Sequence, residues 1–231
     1  MTPEQAFLTR VAQRLGRSVP LKEPPAGVPS DPLPSVGPTD PEALAGRFQA
    51  ELEKLSGHVT RVTTEAAVAP TVVRILKQAG VRGTVVRWQD PTLDGLGLDE
   101  ALQAAGYEVV PFAPGADGGS LMQAAARAGA GITGCDGAVA ETGTVVLGSS
   151  CPGVAGAPGR GRVVSLLPPV HVVVLRREQI VYGMADLLRR LGGGPLPSQV
   201  IFATGPSRSS DIENDLSIGV HGPGVVHVIL L

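Results

Sequence analysis

The stretch Ala140-Glu141-Thr142-Gly143-Thr144-Val145-Val146-Leu147-Gly148-Ser149-Ser150 decides the fold class. Val145-Val146-Leu147 is apolar at every position. Such a run reads as a short strand covered on both faces, as in a helix-flanked parallel sheet. Just ahead of it, one carboxylate, Glu141, stands beside Thr142, Gly143 and Thr144 where a turn enters the strand. Upstream, Gly131-Ile132-Thr133-Gly134-Cys135-Asp136-Gly137 supplies glycines that permit positive φ and close backbone approach to a ligand. A lone acid on a glycine-rich turn at a sheet edge is a candidate base or nucleophile. The same residues equally suit a carboxylate that ties a tight turn through backbone N–H groups.

Outward from this stretch, helix-like and strand-like segments alternate. Asp40-Pro41 reads as a cap and a first-turn proline, followed by the apolar stripe Leu44, Phe48, Leu52 and Leu55 and a stop at Gly57. Residues 59–62, 84–88 and 107–112 read as strands. Residues 64–78, 99–105 and 120–128 read as helices, with Pro70 marking a kink or the true start of the first. On the far side, 163–167 and 170–175 read as strands parted by Pro168-Pro169, 178–191 as an amphipathic helix, and 200–203 and 225–231 as strands. This alternation with short linkers predicts an α/β fold, a mainly parallel sheet with flanking helices. His171 lies inside one of these strands, where a hydrogen-bonded core histidine is the commoner case.

The chain opens with Thr2, Pro3 and Gln5, a capping-box pattern, and Phe7, Leu8, Val11 and Leu15 then share one helical face. Eight prolines crowd the 22 residues from Pro20 to Pro41, which precludes helix or central strand there. The expected organisation is a tethered helix over 1–16, a proline-rich linker over 17–39 and an α/β domain over 40–231. Residues 151–162 hold six glycines or prolines without periodicity and read as a surface loop, with Arg160 and Arg162 as clustered cations near the acid.

Among the 231 residues, 43% are apolar and 17% charged, which argues for a buried core and against disorder. Aromatics are only 3%, so the core is expected to be aliphatic. The net charge of -2 comes without any long basic run, which argues against nucleic-acid binding. No 18-residue apolar run and no signal-peptide pattern is visible, so the expectation is a cytoplasmic chain without a membrane span. Two cysteines, Cys135 and Cys151, are too few for a disulfide framework or a zinc site. No metal site is expected.

A second candidate region is Thr204-Gly205-Pro206-Ser207-Arg208-Ser209-Ser210-Asp211-Ile212-Glu213, after a strand, with Gly219-Val220-His221-Gly222-Pro223-Gly224 following. Ligands in open α/β sheets gather at the carboxyl ends of strands. A loop of glycine, serines and an arginine suits an anion held by backbone N–H groups and a guanidinium. Asp211, Glu213 and His221 add titratable groups, but in no compact metal-ligand spacing. Ser207, Ser209 and Asp211 equally suit a turn and a helix cap.

Ala140-Glu141-Thr142-Gly143-Thr144, Pro168-Pro169-Val170-His171, Thr204-Gly205-Pro206-Ser207 through Asp211-Ile212-Glu213, and Gly219-Val220-His221-Gly222-Pro223 occur in one order. In this the chain resembles LUD-domain proteins of the lactate-utilisation protein C family, from about Asp40 to Leu231. The resemblance implies a fold like those of ribose-phosphate isomerase, glucosamine-phosphate deaminase and the coenzyme A transferases. It also implies work alongside two partner subunits in oxidising L-lactate to pyruvate. The family's B-type member carries iron–sulfur ligand cysteines, and this chain has no such cluster. The clusters are therefore expected only in a partner, with no cofactor in this chain.

Coenzyme A transferases of the related fold use a glutamate in a Ser-Glu-Asn-Gly turn. Glu141 in Ala-Glu-Thr-Gly is similar but differs at two of these four positions. No flavin or nicotinamide fingerprint is visible. Three readings stand at this point. The chain is an accessory subunit of a lactate-oxidising assembly, binding a small anionic ligand or organising partners. Alternatively it is a stand-alone acyl-transferase or isomerase with Glu141 as nucleophile or base. Or it is a structural or regulatory module. The expected site joins Glu141, Thr142, Gly143 and Thr144 to Gly205, Pro206, Ser207, Arg208, Ser209, Asp211 and Glu213, with His221 at the rim. Arg208 and Arg160 are the cations expected to meet an anion there.

Overall fold

Six strands, all parallel, form the central sheet in the order β1-β12-β7-β4-β2-β3. They are β1 (His58–Arg61), β2 (Thr84–Trp88), β3 (Glu108–Phe112), β4 (Ala130–Thr133), β7 (Val170–Leu175) and β12 (Val225–Leu230). The computed structural model describes residues 2–19, 37–112, 118–149, 160–192, 197, 199–210 and 216–231. β4 and β7, at the centre, are buried at every position, as strands covered on both faces are. The carboxy-terminal strand β12 inserts between β1 and β7, so the last residues of the chain complete the middle of the sheet.

Helices cover this sheet. α2 (Pro41–Lys54) starts where Asp40 accepts the Ala43 N–H at 2.8 Å, and it buries Leu44, Phe48 and Leu52. α3 (Val68–Gln78) follows a 3₁₀ turn over Glu65–Ala67. Pro70 therefore falls in its first turn, where a missing N–H breaks no helical bond, and it marks the start instead of a kink. α4 (Pro91–Asp94), α5 (Leu98–Ala104) and α6 (Gly118–Arg127) complete the outer layer.

Three segments differ from the sequence-based expectation. Residues 163–167 form α7 (Val163–Leu166) and not a strand. The reason lies in β4. A Cβ at Gly131 would stand 1.8 Å from the Val164 carbonyl oxygen, so only glycine lets this short helix lie directly on the strand. Residues 178–191 divide into a 3₁₀ turn, the two-residue strand β8 (Ile180–Val181) and α8 (Met184–Leu191).

The third difference concerns the deciding stretch itself. It supplies β6 (Thr144–Gly148), buried throughout, yet β6 belongs to a second sheet of order β8-β5-β6-β9. There it runs antiparallel to β5 (Gly137–Val139) and to β9 (Val200–Ala203). Burial on both faces is real but comes from two different layers. Val145 and Leu147 join the main core, while Val146 packs with Val139 and Leu187 beneath α8. β10 (Arg208–Ser210) and β11 (Leu216–Ile218) make a separate antiparallel hairpin.

The chain divides into two compact units, Met1–Pro34 and Ser35–Leu231. In the first, α1 (Pro3–Arg14) carries the expected capping box, with Thr2 Oγ1 accepting the Gln5 N–H and Gln5 Oε1 accepting the Thr2 N–H. Most of the proline-rich linker lies outside the described residues, as does most of the 151–162 loop. In the second unit, Gly37 lies against the Tyr182 ring, where a Cβ would meet the ring carbons at 2.2 Å.

Candidate functional site

A cleft of about 310 Å³ opens where the two sheets meet. Its wall from the second sheet is the end of β9 and the loop beyond it, Ala203, Thr204, Gly205, Pro206 and Ser207. His221, Gly222 and Pro223 form a second wall, and α7 a third through Ser165 and Leu166. Leu147 of β6, Val226 of β12 and His171 of β7 also line it. His171 and Val226 are the second residues of their strands. The cleft therefore opens at the amino ends of β7 and β12, not at the carboxyl edge expected for a parallel sheet. What occupies the carboxyl-end position is the loop after β9, a strand of the other sheet.

Two of the sequence motifs meet here by backbone hydrogen bonds. Ser207 N–H donates to the Pro223 carbonyl and Gly219 N–H donates to the Ser207 carbonyl, each at 2.9 Å. Behind them runs a row of hydroxyls, Thr142 to Thr144 at 2.7 Å and Thr144 to Thr204 at 2.8 Å. This row links the turn that carries Glu141 to the cleft wall.

Glu141 itself does not line the cleft. It sits in the β5–β6 hairpin, where its N–H donates to the Tyr182 carbonyl at 3.0 Å. Its side chain is exposed, with Oε2 3.6 Å from where a Cβ on Gly183 would stand. The carboxylate accepts no hydrogen bond from the described residues, so it does not tie the turn. Gly143 does that work: its φ of 64° is left-handed, and its Cα seats the hairpin on α2, where a Cβ would come 2.4 Å from the Leu52 nitrogen.

The expected cations are engaged away from the cleft. Arg208 is exposed and its Nη2 donates to Ser56 Oγ at 3.2 Å. Arg160 is buried and paired with the carboxylates of Asp90 and Asp136. Its guanidinium lies 4.9 Å from the Trp88 ring centroid, a cation–π contact, and its own N–H donates to the Ser149 carbonyl. Burial raises the Asp136 carboxyl, opposed by Arg160 and by the Gly148 N–H that it accepts. Arg160 is thus a structural tie, which corrects its expected role beside an anion. Among the described residues, no lysine or arginine lines the cleft. Ser209 lies in β10, and Asp211 and Glu213 fall outside the described residues.

Sequence reasoning places Ser165 and Leu166 in a strand and favours a core role for His171 over a ligand-binding one. His171 is indeed buried, 1% exposed, and burial pushes its imidazole down to about 4. Yet it also lines the cleft. The signal available was Gly131 beside Ile132 and Thr133, a glycine inside a strand pattern, which marks close approach by another backbone.

Residues 45–231 match the sequence profile of the LUD domain. The chain belongs to the LUD domain family. Its relatives in the family include Lactate utilization protein C of Halalkalibacterium halodurans, 33% identical over 95% of this chain and 93% of that protein. Lactate utilization protein C of Anoxybacillus flavithermus is 32% identical over 95% of this chain and 94% of its own. YkgG of Escherichia coli, described as uncharacterized, is 32% identical over 94% of this LUD chain and 93% of its own. The crystal structure of a DUF162 family protein from Deinococcus radiodurans superposes with a TM-score of 0.55 at 22% identity. It covers 84% of this chain and 99% of that one, a likeness of fold. No described helix is long and apolar enough to cross a membrane.

Proposed function

We propose that this LUD-domain chain is an accessory subunit of a cytoplasmic L-lactate-utilising system, in which it binds a small ligand and organises partners that carry the electrons. The lactate role comes from relatives named Lactate utilization protein C, aligned over nearly the whole chain. The observation that carries the ligand-binding part is the cleft, where the Thr204–Ser207 and His221–Pro223 motifs are bonded together over a buried imidazole. Its volume lies at the lower end of the range for small-molecule sites.

In this reading the iron–sulfur clusters sit in a partner. Two cysteines fall short of the usual four thiolates, and Cys135 is buried with its thiol pushed up by desolvation. The test is complementation of a deletion strain on L-lactate, with the tagged chain then recovered from native cells and its co-purifying proteins and iron measured. Restored growth by the wild type, lost with Ser207→Ala or His221→Ala at normal protein level, supports the cleft as the working site. Recovery of the chain alone, without an iron-containing partner, counts against the subunit role.

A further inference from the structure

The cleft holds one polar atom whose surroundings say what it binds. His171 is almost wholly buried, and its Nε2 lies 2.9 Å from Thr133 Oγ1. Thr133 is itself fully buried, and its hydroxyl has no other hydrogen-bond partner among the described residues. If Nε2 carried the proton, the threonine O–H would be left buried without an acceptor, a penalty of about 1–3 kcal/mol. The arrangement that satisfies both groups has Thr133 donating to Nε2, which places the imidazole proton on Nδ1. Nδ1 has no partner among the described residues, and His171 is one of the residues that line the cleft.

The geometry points to a ligand whose uncharged carbonyl oxygen accepts the His171 Nδ1–H and whose apolar body lies along the cleft. This rests on the cleft being a binding site, as proposed above, and it adds the chemical class of the occupant. A carbonyl oxygen is an acceptor only, which matches an N–H donor with nothing else to meet. The ring stays neutral through the physiological range because burial disfavours its charged form, so it offers a hydrogen bond and no full charge. Leu147, Leu166, Pro206, Phe202 and Val226 supply the apolar lining. With no lysine or arginine among the described lining residues, a carboxylate buried there would lack a counter-charge. Ser165 adds no competing donor, since its hydroxyl donates to the Arg162 carbonyl at 2.9 Å.

The test uses the full chain, ¹⁵N-labelled at histidine, and three probes with one eight-carbon skeleton: 2-octanone, 2-octanol and octanoate. In the free protein, His171 is expected as the Nδ1–H tautomer at pH 7, and Thr133→Val is expected to shift the population toward Nε2–H. 2-Octanone should perturb the Nδ1–H resonance, while octanoate binds at least about tenfold more weakly because its charge is desolvated without a partner. An Nε2–H tautomer in the wild type overturns the proposal. So does octanoate binding as tightly as the ketone, or ketone binding that leaves the His171 resonances unmoved. These outcomes are separable from the lactate reading, which stands or falls on growth and co-purification.

Discussion

His171 lines the cleft and Glu141 stands outside it, and their surroundings are opposite. Burial holds the His171 imidazole near a pKa of about 4, against 6.5 for the free group. The unfolded chain therefore takes up a proton near pH 6.5 that the folded chain refuses until about pH 4. Stability from the neutral ring is full above pH 6.5 and is lost as pH falls toward 4, on the order of 3 kcal/mol in all. His227 is depressed as well, by burial first and then by His58 and Arg74, so it adds to the same acid-side loss. Comparing His171→Asn with the wild type isolates the first contribution. Thermal melts from pH 7.5 to 4.5 should show the wild type falling more steeply, and parallel curves would refute this. Glu141 is exposed and accepts no hydrogen bond from the described residues, so Glu141→Gln should change stability by less than about 0.5 kcal/mol. A loss of lactate-dependent growth at unchanged melting temperature would then mark the carboxylate as functional outside the cleft, and normal growth would show that it has no working role.

Single elements show why part of the architecture is readable from the chain and part is not. β2, β7 and β12 are valine-rich runs each entered from a glycine or proline, and each appears where its pattern places it. β6 is also such a run, but burial on both faces does not say whether the neighbours are parallel. The antiparallel arrangement comes from the hairpin with β5, close in sequence, and from β9, more than fifty residues away, which no local pattern reveals. Residues 163–167 are apolar at nearly every position, which suits a strand or a short buried helix equally. Gly131 chooses the helix, because α7 approaches closer than any Cβ allows. Gly131→Ala should therefore cost about 1–3 kcal/mol through overpacking and displace α7, which carries Ser165 and Leu166 of the cleft wall. A lowered melting temperature and altered amide shifts at Ser165 are the expected signs. An unchanged spectrum would refute the close seating of α7 on β4. The candidate site was legible as motifs but not as a place: sequence order located the Thr204–Ser207 and His221–Pro223 loops. The strand exchange that sets them over the amino ends of β7 and β12 is a property of the whole sheet.

Across the whole molecule, the contacts that define the core are long in sequence. β12 must reach the middle of the sheet after β8, α8 and the β10–β11 hairpin have been inserted, so the α/β unit cannot be completed without the chain's last residues. Every strand and every buried helix of the central sheet lies between Ser35 and Leu231, which the contact pattern separates as one compact unit. Gly37 seats against Tyr182 within the same unit, so the cut that respects the packing falls at Ser35 and not at Asp40. A chain begun at Ser35 should unfold in one cooperative transition with a melting temperature within about 2 °C of the full chain, since it loses none of the shared core. It should also retain the His171 tautomer and the cleft. A drop beyond about 5 °C, or a second transition appearing on truncation, would mean that the first 34 residues are part of the folded core.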